Sequence, residues 1–295
     1  MTRALVPALA LLGLPYAALA EDITPTRTAP RTTSDEARSQ GHSWEMPALT
    51  VQGRGTAELR EEDRIGSYQQ PRWTARRRFT ETRVYVVPEG QFEFEYWLIV
   101  KDFKKDKPTQ IQHVYEAEIG LPYRFQLDLY QVYEKEDSTG PLGLSETKFE
   151  LRYALADWGR IWGNPTLYGE WANASGDYDS AEFKLLLTDE LTPRWHWATN
   201  FVYERKVGGD QAVAQEMTNA LSYTLRDEKV SLGIEDKFAW EDVKGDRGNY
   251  EREFLLGPSI QIRPLPQMHI DLSYMIGLTD NSPASKTVFI AGWEF

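Results

Sequence analysis

Three residues with the makings of a catalytic set lie close together near the C-terminus: His269, Asp271 and Ser273 alternate along one stretch. A serine hydrolase uses these residue types, with imidazole as base and carboxylate as its orienter. On a strand, residues two apart stand about 7 Å from one another, whereas a proton relay needs contacts near 3 Å. The spacing argues against catalysis, so no catalytic residue is expected. His113 and His196 stand apart, none of the histidines has the clustered spacing of a metal site, and the chain has no cysteine. No metal and no cofactor are expected, and thiolate chemistry and disulfide staples are excluded.

The second chemical feature is charge. A basic and aromatic run, with Arg72, Trp73, Arg76, Arg77 and Arg78, is followed closely by Arg83. Beyond it, carboxylates recur at alternate positions: Glu93, Glu95, Glu116, Glu118, Asp128, Glu150, Glu170, Glu182, Glu204, Glu235, Glu251, Glu253 and Asp271. Fewer cations share their register, namely Arg124, Lys148, Arg152, Lys184, Arg194, Lys229, Lys237 and Arg263. The net charge of -12 argues against nucleic acid as a partner, because nothing would neutralise a phosphate backbone.

The elements that must carry these charges are strands. In 91–101, Phe92, Phe94, Tyr96, Leu98 and Val100 alternate with Gln91, Glu93, Glu95 and Lys101. In 267–278, Met268, Ile270, Leu272, Tyr274, Ile276 and Leu278 alternate with His269, Asp271 and Ser273. A period of two sustained this long is a strand signal, and about 9–11 residues suffice to cross a bilayer at a tilt. Roughly twelve such segments follow from Gly90 to Phe295: 90–101, 109–121, 122–134, 145–156, 165–173, 179–188, 193–206, 214–225, 228–241, 249–263, 266–278 and 286–295. Short links alternate with longer polar ones, as in a bacterial up-and-down barrel with both ends in the periplasm. The exception is 157–164, an aromatic link for which a short interfacial helix is expected. The 10 Trp, 15 Tyr and 12 Phe fit aromatic girdles at two membrane interfaces.

The fold class expected is therefore all-β: a transmembrane antiparallel barrel of about 12 strands over 90–295, preceded by a mostly disordered extension over 21–89. Residues 1–20 read as a signal peptide cut after Ala20, with an apolar stretch too short to span a bilayer as a helix. The segment to Leu59 reads as a leader rich in Thr, Pro, Ser and Arg. Residues 45–53 faintly resemble the box by which some outer-membrane receptors engage an energising partner.

If the apolar faces meet lipid, the carboxylates line the lumen. Two readings stay open: a cation-preferring pore, or a wall laced with cross-strand ion pairs. The basic run has the opposite charge to that wall. It either folds back over 73–83 as a partial plug or serves as a periplasmic tether on anionic surfaces.

Certain segments carry a family likeness: Asp157-Trp158-Gly159, 164–170, 277–283 and Gly292-Trp293-Glu294-Phe295. Across 90–295 the chain resembles mid-sized outer-membrane barrels of the transporter type, some of them from pathways that degrade aromatic compounds. The terminal Phe289, Trp293 and Phe295 resemble the C-terminal strand read by the barrel-insertion machinery. The resemblance implies location in the Gram-negative outer membrane and partners that include outer-membrane lipid, the insertion machinery and an unknown small solute. The function expected is passive passage of a small hydrophobic or cationic solute. A closed structural or surface-interaction barrel is the alternative, and a barrel-embedded lipid hydrolase comes after it.

Overall fold

A computed structural model describes residues 60–104, 107–137 and 139–295. The expected signal peptide, the leader to Leu59 and the box at 45–53 lie outside the described residues. A two-residue ladder, β1 (Arg64–Ile65) with β2 (Gln70–Pro71), precedes a 3-10 turn at Arg72–Thr74. The barrel strands follow as β3 (Phe92–Asp102), β4 (Gln110–Leu121), β5 (Phe125–Glu136), β6 (Gly143–Ala154), β7 (Thr166–Ala174) and β8 (Ser180–Thr192). The second half comprises β9 (Trp195–Lys206), β10 (Val213–Arg226), β11 (Val230–Asp242), β12 (Glu251–Leu265), β13 (Met268–Gly277) and β14 (Ser285–Glu294).

Each barrel strand from β3 to β14 pairs antiparallel with its neighbours in sequence, and β14 closes on β3 to complete the ring. The twelve segments legible as alternation are these strands, with ends displaced by a few residues. Closure leaves the barrel without a sheet edge, which is what hydrocarbon demands of a spanning sheet. Alternation sets the two surfaces. Phe92 and Phe94 are exposed while Glu93 and Glu95, which alternate with them, are buried, and the same holds for Phe149 and Leu151 around Glu150. An apolar exterior of this kind is solvated by lipid, and the chain is a barrel of the Gram-negative outer membrane.

The short links, 122–124, 193–194, 227–229 and 266–267, lie at the end of the barrel where the chain enters β3 and leaves β14. The longer ones, 103–109, 137–142, 175–179, 207–212, 243–250 and 278–284, lie at the other. Outward aromatics stand toward both ends: at the short-link end the Phe125 and Tyr153 rings lie 4.6 Å apart and the Trp195 and Tyr223 rings 4.9 Å apart, and toward the long links the Phe238 and Phe254 rings lie 3.9 Å apart.

The link 155–165 is not the helix expected of it. It is a run of turns in which Gly159 (φ +75), Gly163 (φ +73) and Asn164 (φ 44) take left-handed conformations that a helix cannot hold. Arg124, expected on the lumen wall, sits instead in the 3-10 turn Pro122–Arg124 with φ 67 and bonds Ala154 O and Asp157. Arg194 and Lys229 likewise lie in short links and not on the wall.

Candidate functional site

The lumen is the candidate site, and residues 60–89 fill its short-link half. The segment has almost no regular secondary structure, so its backbone polar groups need partners from elsewhere. Wall side chains supply them. Gln126 Oε1 accepts from Val87 N at 2.7 Å, and Glu235 accepts from Thr80 N and Glu81 N at 3.1 and 2.8 Å. Asn200 both accepts from Arg83 N at 2.7 Å and donates to its carbonyl at 2.9 Å. Two-residue contacts of this kind replace a ladder.

The arginines of the segment pair with the acidic wall. Arg77 Nε donates to Glu95 at 2.8 Å, and its Nη2 reaches Glu116 at 3.0 Å and Glu118 at 3.2 Å. Arg83 Nη2 donates to Glu116 at 2.9 Å and to the Tyr130 hydroxyl at 2.6 Å. Both guanidiniums also stand over the Trp97 ring, at 4.2 and 5.2 Å from its centroid. Arg78 binds Glu61 at 2.9 Å, Thr224 at 2.7 Å and His196 Nδ1 at 3.0 Å. A guanidinium is always a donor, so His196 accepts through Nδ1. Arg72 holds Glu228 through two 3.2 Å bonds, and Arg76 bridges Glu228 and Glu294.

Burial pushes the Glu61 carboxyl up, but the guanidiniums of Arg78 and Arg263 outweigh it and hold it below the ordinary carboxylate range. Glu228 behaves alike: burial raises it, and Arg263, Arg72 and Arg76 more than offset that.

Bulk is matched as well as charge. Trp73, Phe79, Tyr85 and Val86 are buried against inward-facing Ala154, Ala198 and Ala220, small residues that leave room for the segment. Trp158, from the aromatic link, closes over it edge-on to Trp73 (5.7 Å) and Tyr85 (5.3 Å), while its backbone N–H donates to Tyr68 O at 3.0 Å. The segment leaves through a tight exit. A Cβ on Gly120 would lie 1.9 Å from Pro88 O, so only glycine admits the chain there.

The remaining expected residues divide by height. Asp128 and Glu150 are buried against Arg152, with Arg152 Nη2 2.8 Å from Asp128. Glu170 accepts from Lys148 at 3.2 Å, and Glu182 pairs with Lys184 at 2.8 Å. Glu253 is half-buried nearer the long loops. Glu251, expected in the lumen, is exposed at the rim because β12 begins there. Phe289, Trp293 and Phe295 face outward on and after β14, and the Phe295 ring lies 5.4 Å from Phe92 across the closing seam.

His269 departs from the spacing expectation. Its Nδ1 lies 2.5 Å from Asp271 and its Nε2 2.5 Å from Glu93, so the two-residue separation is bridged by side-chain reach. Ser273 does not join them: its hydroxyl lies 2.6 Å from Thr80. Glu93, Glu95 and His269 present ligand atoms within 4.8 Å of one another, a grouping that sequence spacing did not reveal because two strands supply it. The spacing also gave no sign of Glu61, Glu228 or Trp158 as partners of the segment.

Above residues 80–83 the lumen opens. A cavity of about 360 Å³ has Thr80, Glu81 and Arg83 as its floor, and a further 350 Å³ continues past Glu146 and Glu204 toward the long loops. Within the packed layer the void beside Arg77 and Arg83 measures about 20 Å³, room for roughly one water. Below it, a recess lined by Arg60, Arg72, Arg194 and Glu228 faces the short-link mouth.

Residues 167–285 match the family described as "Putative MetA-pathway of phenol degradation". The fold is similar to that of an outer membrane channel from Pseudomonas putida F1, with a TM-score of 0.57 at 10% identity over 74% of this chain and 100% of that one. The chain is similar to outer-membrane β-barrels of the aromatic-degradation type. NanC porin aligns with a TM-score of 0.49 at 9% identity, over 69% of this chain and 98% of its own. KdgM porin in complex with disordered oligogalacturonate gives 0.44 at 9%, with the same coverage. No curated protein matches the sequence.

Proposed function

We propose that this barrel provides passive passage for a small solute and that residues 60–89 act as its resting plug. The observation that carries the reading is the cavity that descends from the long loops and ends on Thr80, Glu81 and Arg83. A wall built only for rigidity has no use for a vestibule that stops at a segment held by wall side chains and not by a strand ladder. Ion pairs and side-chain hydrogen bonds hold that segment, and water can replace both once it moves.

Of the two solute classes, the hydrophobic one fits better. Trp97, Ile99, Val114 and Val132 form an apolar wall inside the vestibule. A phenol-degradation family match is consistent with an aromatic body lying there. The cationic class loses its support because the innermost carboxylates are already matched by Arg77, Arg83 and Arg152. The hydrolase reading has no assembled relay: both His269 nitrogens face carboxylates and Ser273 bonds Thr80.

The closed structural barrel is the second reading, and the filled layer with its 20 Å³ void favours it. Single-channel recording decides. The intact chain is expected to be nearly silent, and deletion of residues 60–85 is expected to give steady conductance. A deletion variant that inserts, folds and stays silent overturns the channel reading.

A further inference from the structure

Lys101 is the lysine of the vestibule without an ion pair among the described residues. It stands on the inward face of β3, two places beyond Ile99, and is directly opposite Lys286 on β14. Like charges set opposite one another repel unless an anion lies between or beside them. Lys286 has one: Glu81, from the plug, sits 2.6 Å from its Nζ. Lys237, the third lysine of this wall, is held by Glu216 at 2.7 Å. No carboxylate lies within 4.0 Å of Lys101 among the described residues, although Glu253 and Glu81 are near enough to be felt electrostatically. The apolar side chains of Ile99 and Val288 stand opposite each other one step deeper along the same two strands.

We propose that this corner binds a small carboxylate with an apolar or aromatic body, and that Glu81 occupies the carboxylate position in the resting state. The solute's carboxylate lies between Lys101 and Lys286, and its body lies along Ile99, Val288 and Val114 toward Trp97. The cavity of about 360 Å³ admits a one-ring molecule with room for water. Because Glu81 belongs to the plug, a solute that takes Lys286 from it removes one of the plug's outermost bonds. Binding and opening thereby become linked: the solute can favour the open form only to the extent that it binds better once Glu81 has moved away. This assignment rests on the passage reading for its purpose, but the binding site stands or falls independently of flux.

Calorimetry on the detergent-solubilised full chain tests it, with benzoate, benzyl alcohol and benzylamine as probes. Benzoate is expected to bind at least ten-fold more tightly than the other two. Lys101→Gln is expected to weaken benzoate ten-fold or more and leave benzyl alcohol unchanged, whereas Glu81→Gln is expected to tighten benzoate. Heat-modifiable gel mobility confirms that each variant is folded; Lys286→Gln replaces an unfolded Lys101→Gln, and Glu81→Ala an unfolded Glu81→Gln. Equal binding of the three probes, or a Glu81→Gln variant that binds benzoate no better than the parent, overturns the proposal. Benzoate binding with a silent deletion variant would retain the site and reject the channel.

Discussion

At the scale of single residues, the lumen shows why charge alone is a poor guide to selectivity. Glu95, Glu116 and Glu118 are almost fully buried and converge on one guanidinium. Removing one partner of such a cluster leaves uncompensated charge, at a cost of about 3–5 kcal/mol. Arg77→Ala is therefore expected to unseat the segment, and trypsin should cut at Arg72–Arg83 about a hundred-fold faster than in the parent. Gly292 makes a second residue-scale test. A Cβ there would lie 1.9 Å from His269 Nε2, so Gly292→Ala must push the ring off Glu93. Overpacking of this kind costs about 1–3 kcal/mol and should appear as a lower melting temperature.

The same scale sets a pH dependence. Glu61 and Glu228 have carboxyls held below their ordinary value of 4.5 in the folded state. A depressed carboxyl contributes stability that is complete above the unfolded value and is lost as pH falls through the folded one. Opening of the segment, read by hydrogen exchange at 68–86 with the intrinsic pH dependence of exchange divided out, should therefore be flat from about pH 8 to about pH 6 and should rise below about pH 4.5.

At the scale of elements, the strands were legible and the connections less so. Alternation of apolar and polar residues found every barrel strand because period two is imposed by lipid on one side and a polar interior on the other. The link 155–165 defeated that logic. Its Trp-Gly-Arg-Ile-Trp-Gly stretch has no period, and its role depends on Trp73 and Tyr85, which lie far away in sequence. Inward Ala154, Ala198 and Ala220 are in retrospect the sequence trace of a filled lumen, since an empty one has no reason to prefer small residues there. The convergence of Glu93, Glu95 and His269 was invisible because it needs the β14–β3 closure. Trp158→Ala should test the clasp: losing a buried Trp costs about 3–5 kcal/mol, and hydrogen exchange at 68–86 should accelerate while the strands stay protected.

At the scale of the whole molecule, the barrel is a wall with two environments stacked along its axis, a packed charged layer and an open vestibule. Conductance should follow the state of the layer and not the charge of the vestibule. Arg77→Gln combined with Arg83→Gln is expected to conduct in planar bilayers where the parent does not, and equal silence in both would assign the closure to another part of the lumen.

The contact between Arg76 and Glu294 also bears on the order of events during biogenesis. Glu294 ends the last strand, and β14 can meet β3 only when the whole chain is present. A cylinder closed around vacant space would leave Glu95, Glu116 and Glu118 facing one another without their arginine, so threading the segment before the seam zips spares that repulsion. The earliest part of the described chain thus serves as a mandrel for the latest, and chains lacking it should close slowly even where the finished cylinder tolerates its loss.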